Sequence, residues 1–159
     1  MQRVSRDQMF MMMAEAAAMR STCRRLSVGA VLVDRDHNVV SIGYNGPPSG
    51  EPHCTGDNCG QPSCTRALHA EANAIERGDP DAENALHSCT LYVTNSPCSN
   101  CFELIVLKTK SIGRVVFKNE YRINEHLKVD RGIKVEKITA SGYVTDFLTG
   151  RLVSGPEEA

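Results

Sequence analysis

No run of eighteen or more apolar residues occurs in the 159-residue chain, so no transmembrane helix is expected. The opening segment, Met1-Gln2-Arg3-Val4-Ser5-Arg6-Asp7, lacks the apolar stretch and small-residue cleavage site of a signal peptide. A soluble, cytoplasmic protein without a membrane partner is therefore the expectation. Charge excess is also missing: 18 Lys plus Arg against 19 Asp plus Glu leave a formal net charge of −1. That balance argues against a stable nucleic-acid partner, although a local basic patch is compatible with a neutral total. There is no internal repeat and no Pro/Gly/Ser-rich linker. The length suits one domain, residues 1–159, with a core large enough to fold without staples.

Cysteine, by contrast, is plentiful. Seven are present, an odd number in clusters, and without a secretion signal that pattern reads as metal binding before disulfides.

Residues 5–20 carry a helical signal. Ser5-x-x-Gln8 forms a capping box, and Met9, Met12, Met13, Ala16, Ala17 and Arg20 recur at three- and four-residue steps, which reads as a core-packing face rather than a redox stripe. Residues 28–33 and 39–43 read as an antiparallel hairpin across a polar turn containing His37. A loop rich in turn residues follows, about 46–66, and carries His53, Cys54, Cys59 and Cys64. A loop that long in a small domain is either functional or held by something. A helix is expected from about 67 or 69 to 76, a strand over 89–94, a helix over 98–108, and strands over 114–118 and 134–139. Strands joined through helices favour parallel pairing, so a mixed sheet with helices on its faces is expected. Residues 154–159 read as a tail, and His126 as a surface residue.

Two short motifs carry the chemistry: His69-Ala70-Glu71 and Pro97-Cys98-Ser99-Asn100-Cys101. Two residues two apart on a regular helix point about 200° apart. His69 and Glu71 can share one target only if His69 sits at the very start of its helix. Cys98 and Cys101, three apart, share one face, and Pro97 fits at a helix start. Both pairs therefore belong at helix N-termini, where the dipole favours thiolates. His69, Cys98 and Cys101 would supply the three protein ligands of a catalytic zinc, with the fourth position left to water. The combination resembles the signature of the zinc nucleobase deaminases, in which the Glu is not a ligand but the proton carrier. By that resemblance Glu71 takes the proton of the zinc-activated water and returns protons to the ring nitrogen and then to the leaving ammonia. A purely structural zinc would want a fourth protein ligand, for which Glu71 is poorly placed.

Of the remaining cysteines, Cys89 opens an apolar strand and reads as an inert core thiol. Cys23, Cys54, Cys59 and Cys64 could close a tetrahedral structural zinc site, with His53 able to replace one of them. Arg20, Arg24, Arg25 and Arg66 flank these residues and could offset its net −2 charge. The rival use for such arginines is a substrate phosphate. Reduced cysteines in a flexible loop are the alternative to a metal.

Further segments narrow the resemblance. They are Arg20-Ser-Thr-Cys23, Val28-Gly-Ala-Val31, Gly43-Tyr-Asn-Gly46, the run from Cys64 through Ala67-Leu-His69-Ala-Glu71 to Ile75, Tyr92-Val-Thr-Asn-Ser96-Pro97-Cys98, and Tyr121-Arg122. Together they resemble the deoxycytidylate (dCMP) deaminase family of the cytidine deaminase-like fold. The resemblance implies a three-layer α/β/α fold with a mixed five-stranded sheet, and hydrolysis of dCMP to dUMP in pyrimidine deoxynucleotide supply. It also implies that Asn45 contacts the substrate sugar or base, that Ala70, Ser96 and Pro97 line its pocket, and that Tyr121 lies over it. Arg25 and Arg122 are the candidates for the 5′-phosphate. Family members are often hexamers switched on by dCTP and off by dTTP. Gly43, Tyr44, Asn45 and Gly46 then belong to the effector site, with Mg2+ accompanying the triphosphate. Two stretches depart from the pattern: residues 123–132 are unusually polar, and 141–153 have no evident counterpart. Deaminases of the same fold acting on a free base, nucleoside, triphosphate or tRNA adenosine are the alternatives, as is a non-catalytic zinc-stabilised nucleotide-binding module. An intact Glu71 disfavours the last, since a binding module needs no proton carrier.

Overall fold

The computed structural model describes residues 3–23, 26–53, 68–78, 88–108, 111–121 and 124–156. Helix α1 (Arg6–Ala18) precedes the hairpin β1 (Gly29–Val33) and β2 (Val39–Tyr44). Then come α2 (Ala70–Gly78), β3 (Cys89–Asn95), α3 (Ser99–Leu107), β4 (Ile112–Asn119), a 3-10 turn (Glu125–Lys128) and the strands β5 (Lys134–Ile138), β6 (Val144–Asp146) and β7 (Leu152–Ser154). No helix among the described residues is long and apolar enough to cross a membrane.

The sheet runs β2-β1-β3-β4-β5-β6-β7. Pairs β3·β4 and β4·β5 are parallel, and the flanking pairs are antiparallel. Alternation along each strand divides the core into two layers. Ala30, Leu32, Leu91, Val93, Val115 and Phe117 pack with residues of α2 and α3. Val31, Val33, Tyr92, Val116 and Ile138 pack with Phe10, Met11 and Ala14 of α1. The result is the expected three-layer α/β/α arrangement.

Among the described residues the sheet has seven strands rather than five. Strands β6 and β7 form a hairpin inside the segment 141–153, and Ser154, expected to begin the tail, closes β7. Each strand is three residues long, too short for alternation to be read. The turn between them is built on Asp146, whose carboxylate accepts from the backbone N–H groups of Leu148 and Thr149. The hairpin is held from inside by Phe147, whose N–H donates to the Val135 carbonyl and whose ring meets Phe117 edge-on at 5.1 Å.

Helix α1 has the expected capping box, the Gln8 N–H donating to Ser5 Oγ and the Ser5 N–H to Gln8 Oε1. Its buried face is not the expected methionine stripe. Met9 and Met12 are exposed, while Phe10, Met11, Ala14 and Ala17 are buried. Residues 9–14 are all apolar, so periodicity could not choose a face. The largest ring does: Phe10 packs on Tyr92 with centroids 5.3 Å apart. Gly29 lets the helix approach, since a Cβ there would lie 2.5 Å from the Ala18 nitrogen.

One polar network crosses this interface. The Arg114 guanidinium on β4 donates to both carboxylate oxygens of Asp7, at 2.9 and 3.1 Å, and to Glu136 on β5 at 2.6 Å. The Tyr92 hydroxyl donates to Asp7 at 2.6 Å. Helix α1 is thus tied to three strands. Burial alone would raise the Asp7 carboxyl, but hydrogen bonds from Arg114 and Tyr92 outweigh it and hold the group below its ordinary 3.8. A carboxylate depressed in the folded state contributes stability that is complete above its unfolded pKa and is lost as pH falls through the folded value. Asp7→Asn is expected to destabilise the protein by about 2 kcal/mol at neutral pH. In denaturant titrations from pH 7 downward, the gap to wild type should narrow below 3.8; a gap constant with pH would assign the effect to packing alone.

Candidate metal centre and active site

The site lies at the carboxyl ends of the parallel strands β3 and β4. Beyond β3, the Ser96 N–H donates to the Asn119 carbonyl at 2.8 Å, and Asn119 Nδ2 donates back to the Thr94 carbonyl at 3.1 Å. These bonds fix the direction in which the chain enters Pro97 and Cys98. Cys98 is the N-cap of α3, with extended backbone (φ −68°, ψ 168°). Its carbonyl accepts the first helical bond, from Phe102 N–H, and its Sγ accepts from the Cys101 N–H at 3.5 Å. Cys101 lies one turn along, buried.

His69 occupies the corresponding position on α2. Its carbonyl accepts from the Asn73 N–H at 3.0 Å, and the helix begins at the next residue. Several contacts seat α2 on β2. A Cβ on Gly43 would collide with the Ala70 carbonyl and lie 2.6 Å from the Ala74 nitrogen, so only glycine admits the helix this close. Ser41 Oγ donates to the Ala74 carbonyl, and Asn73 Nδ2 to the Tyr44 carbonyl at 2.9 Å. Gly46 and Leu68 pair in an isolated bridge, closing the two ends of the cysteine-bearing loop.

These placements converge. His69 Nδ1 lies 3.1 Å from Cys101 Sγ and 3.5 Å from Cys98 Sγ, and the three ligand atoms fall within 4.8 Å of one another. His69 is exposed, Cys98 half-buried and Cys101 buried, so the cluster opens to solvent on the imidazole side. Glu71 lies behind it, only 4% exposed. Burial raises its carboxyl, against a hydrogen bond from the Cys101 thiol and the attraction of His69. Cys101 and then His69 beside it hold Cys98 far below the ordinary thiol range, while the neighbouring Cys98 sulfur and desolvation push Cys101 far above it. Two sulfurs and a ring nitrogen crowded onto one point form a donor set that a cation would satisfy. The donor set therefore fits a zinc ion with three protein ligands.

The other expected site residues fall into three groups. Ala70 is buried at the start of α2, Ser96 and Pro97 are buried in the ligand turn, and Tyr121 is half-buried. Ser96 Oγ accepts from the Tyr121 N–H at 2.8 Å, which ties the tyrosine backbone to the ligand turn. Asn45 is buried, and its side chain braces the chain entering β1: Oδ1 accepts from Val28 N–H and Ser21 Oγ, and Nδ2 donates to the Leu26 carbonyl. Tyr44 and Gly46 line a cleft of about 720 Å³ shared with Arg20, Glu51, His53 and Arg77. The Arg77 guanidinium stands 5.8 Å from the centre of the Tyr44 ring. Cys23 is half-buried, its N–H donating to Ser21 Oγ. Cys54, Cys59, Cys64, Arg24, Arg25, Arg66 and Arg122 lie outside the described residues. Cys89 is a buried thiol, raised by desolvation, as expected of a core residue.

His126 is not the surface residue expected from its polar surroundings. It is half-buried and lies 2.7 Å from the Pro97 carbonyl oxygen. Its partner is 29 positions upstream, and nothing in the intervening sequence signals the contact.

A family model described as the cytidine and deoxycytidylate deaminase zinc-binding region matches residues 4–119. The ComE operon protein 2 of Bacillus subtilis (strain 168) is 34% identical over 156 residues, covering 92% of this chain and 78% of that one. The deoxycytidylate deaminase of Mycobacterium phage D29 is 40% identical over 133 residues, covering 76% and 99%. Among solved structures, the dCMP deaminase of cyanophage S-TIM5 in complex with dCMP and dUMP superposes with a TM-score of 0.71 at 30% identity, covering 82% of this chain and 95% of that one. With the matched region spanning most of its length and both ligand turns, the chain belongs to the cytidine and deoxycytidylate deaminases.

Proposed function

We propose that this chain, acting as a single deaminase domain, hydrolyses dCMP to dUMP and ammonia. The observation that carries this reading is the convergence of His69, Cys98 and Cys101 in front of the buried carboxyl of Glu71. Deamination needs an activated water and a proton carrier, and these residues would supply both. His69, Cys98 and Cys101 would hold zinc, which when bound supplies Lewis-acid activation of the attacking water. Glu71 accepts one proton of that water and delivers it to the ring nitrogen, then takes the remaining proton from the hydroxyl added at carbon and delivers it to the departing amine, so that ammonia leaves and a carbonyl remains. Its burial keeps bulk water from competing for those protons, and its raised carboxyl suits a group that must be protonated and deprotonated in one cycle.

Substrate choice rests on the neighbours. The relative from phage D29 is named a deoxycytidylate deaminase, and the S-TIM5 enzyme is seen with dCMP and dUMP. In this reading Ala70, Ser96 and Pro97 form the pocket wall around the base, with Tyr121 held at its rim through Ser96. The described bonds of Asn45 use one of its two amide hydrogens, leaving the other for the sugar. Arg25 and Arg122 take the 5′-phosphate. Cys23, Cys54, Cys59 and Cys64, with His53 as an alternative ligand, hold a second, structural zinc. The resemblance further supports a cytoplasmic homohexamer that supplies deoxynucleotide for dTMP synthesis. Its switching by dCTP and dTTP would act at the loop Gly43-Tyr44-Asn45-Gly46, with Mg2+ accompanying the triphosphate.

Ammonia release from purified protein given dCMP, CMP, dCTP, deoxycytidine or guanine tests the substrate; dCMP should be the best. Release only from another member of the panel would overturn the specificity and leave the reaction standing. Glu71→Gln should retain zinc and lose activity by about 10²-fold or more; near-normal turnover with full zinc would remove Glu71 from the mechanism. Metal analysis of the intact protein should return two zinc ions per chain. A value of one, with Cys59→Ser unchanged in metal content, would eliminate the structural site.

A further inference from the structure

We infer that His126 is a positioning residue for the catalytic centre, acting through the Pro97 carbonyl on the ligand Cys98. The inference rests on the zinc reading above. A carbonyl only accepts, so the 2.7 Å contact is made by a His126 Nε2–H donating to Pro97 O. That carbonyl lies outside the hydrogen-bond ladder of α3, whose first acceptor is the carbonyl of Cys98. It belongs to the peptide plane that ends at the Cys98 nitrogen. Holding its oxygen fixes the rotation of that plane, and with it the direction in which the Cys98 side chain leaves the backbone.

Cys98 is therefore held from both sides. Downstream, the Cys101 N–H donates to its Sγ. Upstream, the His126 ring holds the preceding peptide. The hold is itself anchored: Leu127, the next residue, is 1% exposed and packs in the same core cluster as Phe102 of α3. The Leu127 N–H closes the turn on the Asn124 carbonyl at 3.0 Å. The His126 ring also rests 6.0 Å from the Phe102 ring, centre to centre, with 57° between the planes. The imidazole thus makes one apolar contact and one polar one, and two substitutions separate them. His126→Phe keeps a ring against Phe102 and loses the donor. His126→Gln loses the ring and keeps an N–H at about the reach of Nε2.

Groups that orient a metal ligand through a second hydrogen bond typically contribute about 10- to 100-fold in metal affinity or activity. For the zinc-loaded protein, the readouts are the rate of zinc transfer to a chromogenic chelator and kcat and KM for dCMP. His126→Phe should release the catalytic zinc about 10-fold faster or more, and lower kcat with KM little changed. His126→Gln should recover most of both. The reverse order, with Phe normal and Gln impaired, would show that the ring packs and does not position, and would overturn the inference. So would wild-type zinc release from both variants. If His126→Phe fails to fold, His126→Gln decides: near-wild-type zinc release supports the inference, and rapid release overturns it. Wild-type protein that binds no zinc through His69, Cys98 and Cys101 would instead reject the reading beneath it.

Discussion

Two side chains of the candidate metal centre, His69 and Cys98, must each stand at the cap of its own helix, and the rest of the site follows from that requirement. A residue inside a helix shares its direction with neighbours three and four away, not with those two away. Only a cap, where the backbone is still extended, lets His69 face the same point as Glu71. The same position gives Cys98 an N–H from Cys101 for its sulfur, so one side chain serves as helix cap and as thiolate. The positive ends of two helix dipoles then meet at the cluster, where they favour anionic sulfur. The capping that starts each helix and the chemistry of the centre are one arrangement.

Bringing two caps together is the work of the sheet. The parallel pair β3·β4 ends in crossed bonds between Ser96, Asn119 and Thr94, which aim the Cys98 turn. Helix α2 must reach the same place from the other side, and it does so by lying almost on the backbone of β2. Gly43 permits that approach, and Ser41 and Asn73 fasten it. Loss of space at Gly43 would lift Glu71 and His69 together, because both ride on the first turn of α2. On the opposite face, Gly29 plays the equivalent part for α1, and Arg114 ties that helix to three strands.

The reaction was legible in the sequence because it depends on local rules. The spacing of His69 to Glu71 and of Cys98 to Cys101, with Pro97 ahead, specified two helix starts, and both occur within a residue of expectation. The hairpin and the mixed sheet were legible for the same reason, each strand being long enough to alternate or to run apolar. What was hidden depended on partners distant in the chain. Met9 and Met12 satisfied helical periodicity as well as Phe10 and Met11 did, and only packing against Tyr92 separates the two faces. Strands β6 and β7 are three residues each, and their pairing is set by the Asp146 turn and by Phe147 reaching the core. His126 and Arg114 look like ordinary polar residues until the fold delivers Pro97 to one and Asp7 to the other.

The Gly43-Tyr-Asn-Gly46 segment joins what was legible to what was not. It reads as a ligand loop, yet its residues all have structural partners: Gly43 meets α2, Asn45 holds residues 26 and 28 at the entry to β1, and Gly46 pairs with Leu68 just before His69. The fourth, Tyr44, offers its carbonyl to Asn73 of α2 and its ring to the cleft beside Arg77. A nucleotide pressed against that ring would push on a residue whose backbone is hydrogen-bonded to the helix carrying Glu71. The next contact along, Gly46 to Leu68, leads directly to His69. The cleft at Tyr44 and the His69, Cys98 and Cys101 cluster are therefore joined through two hydrogen-bonded contacts, each ending on or beside the first turn of α2.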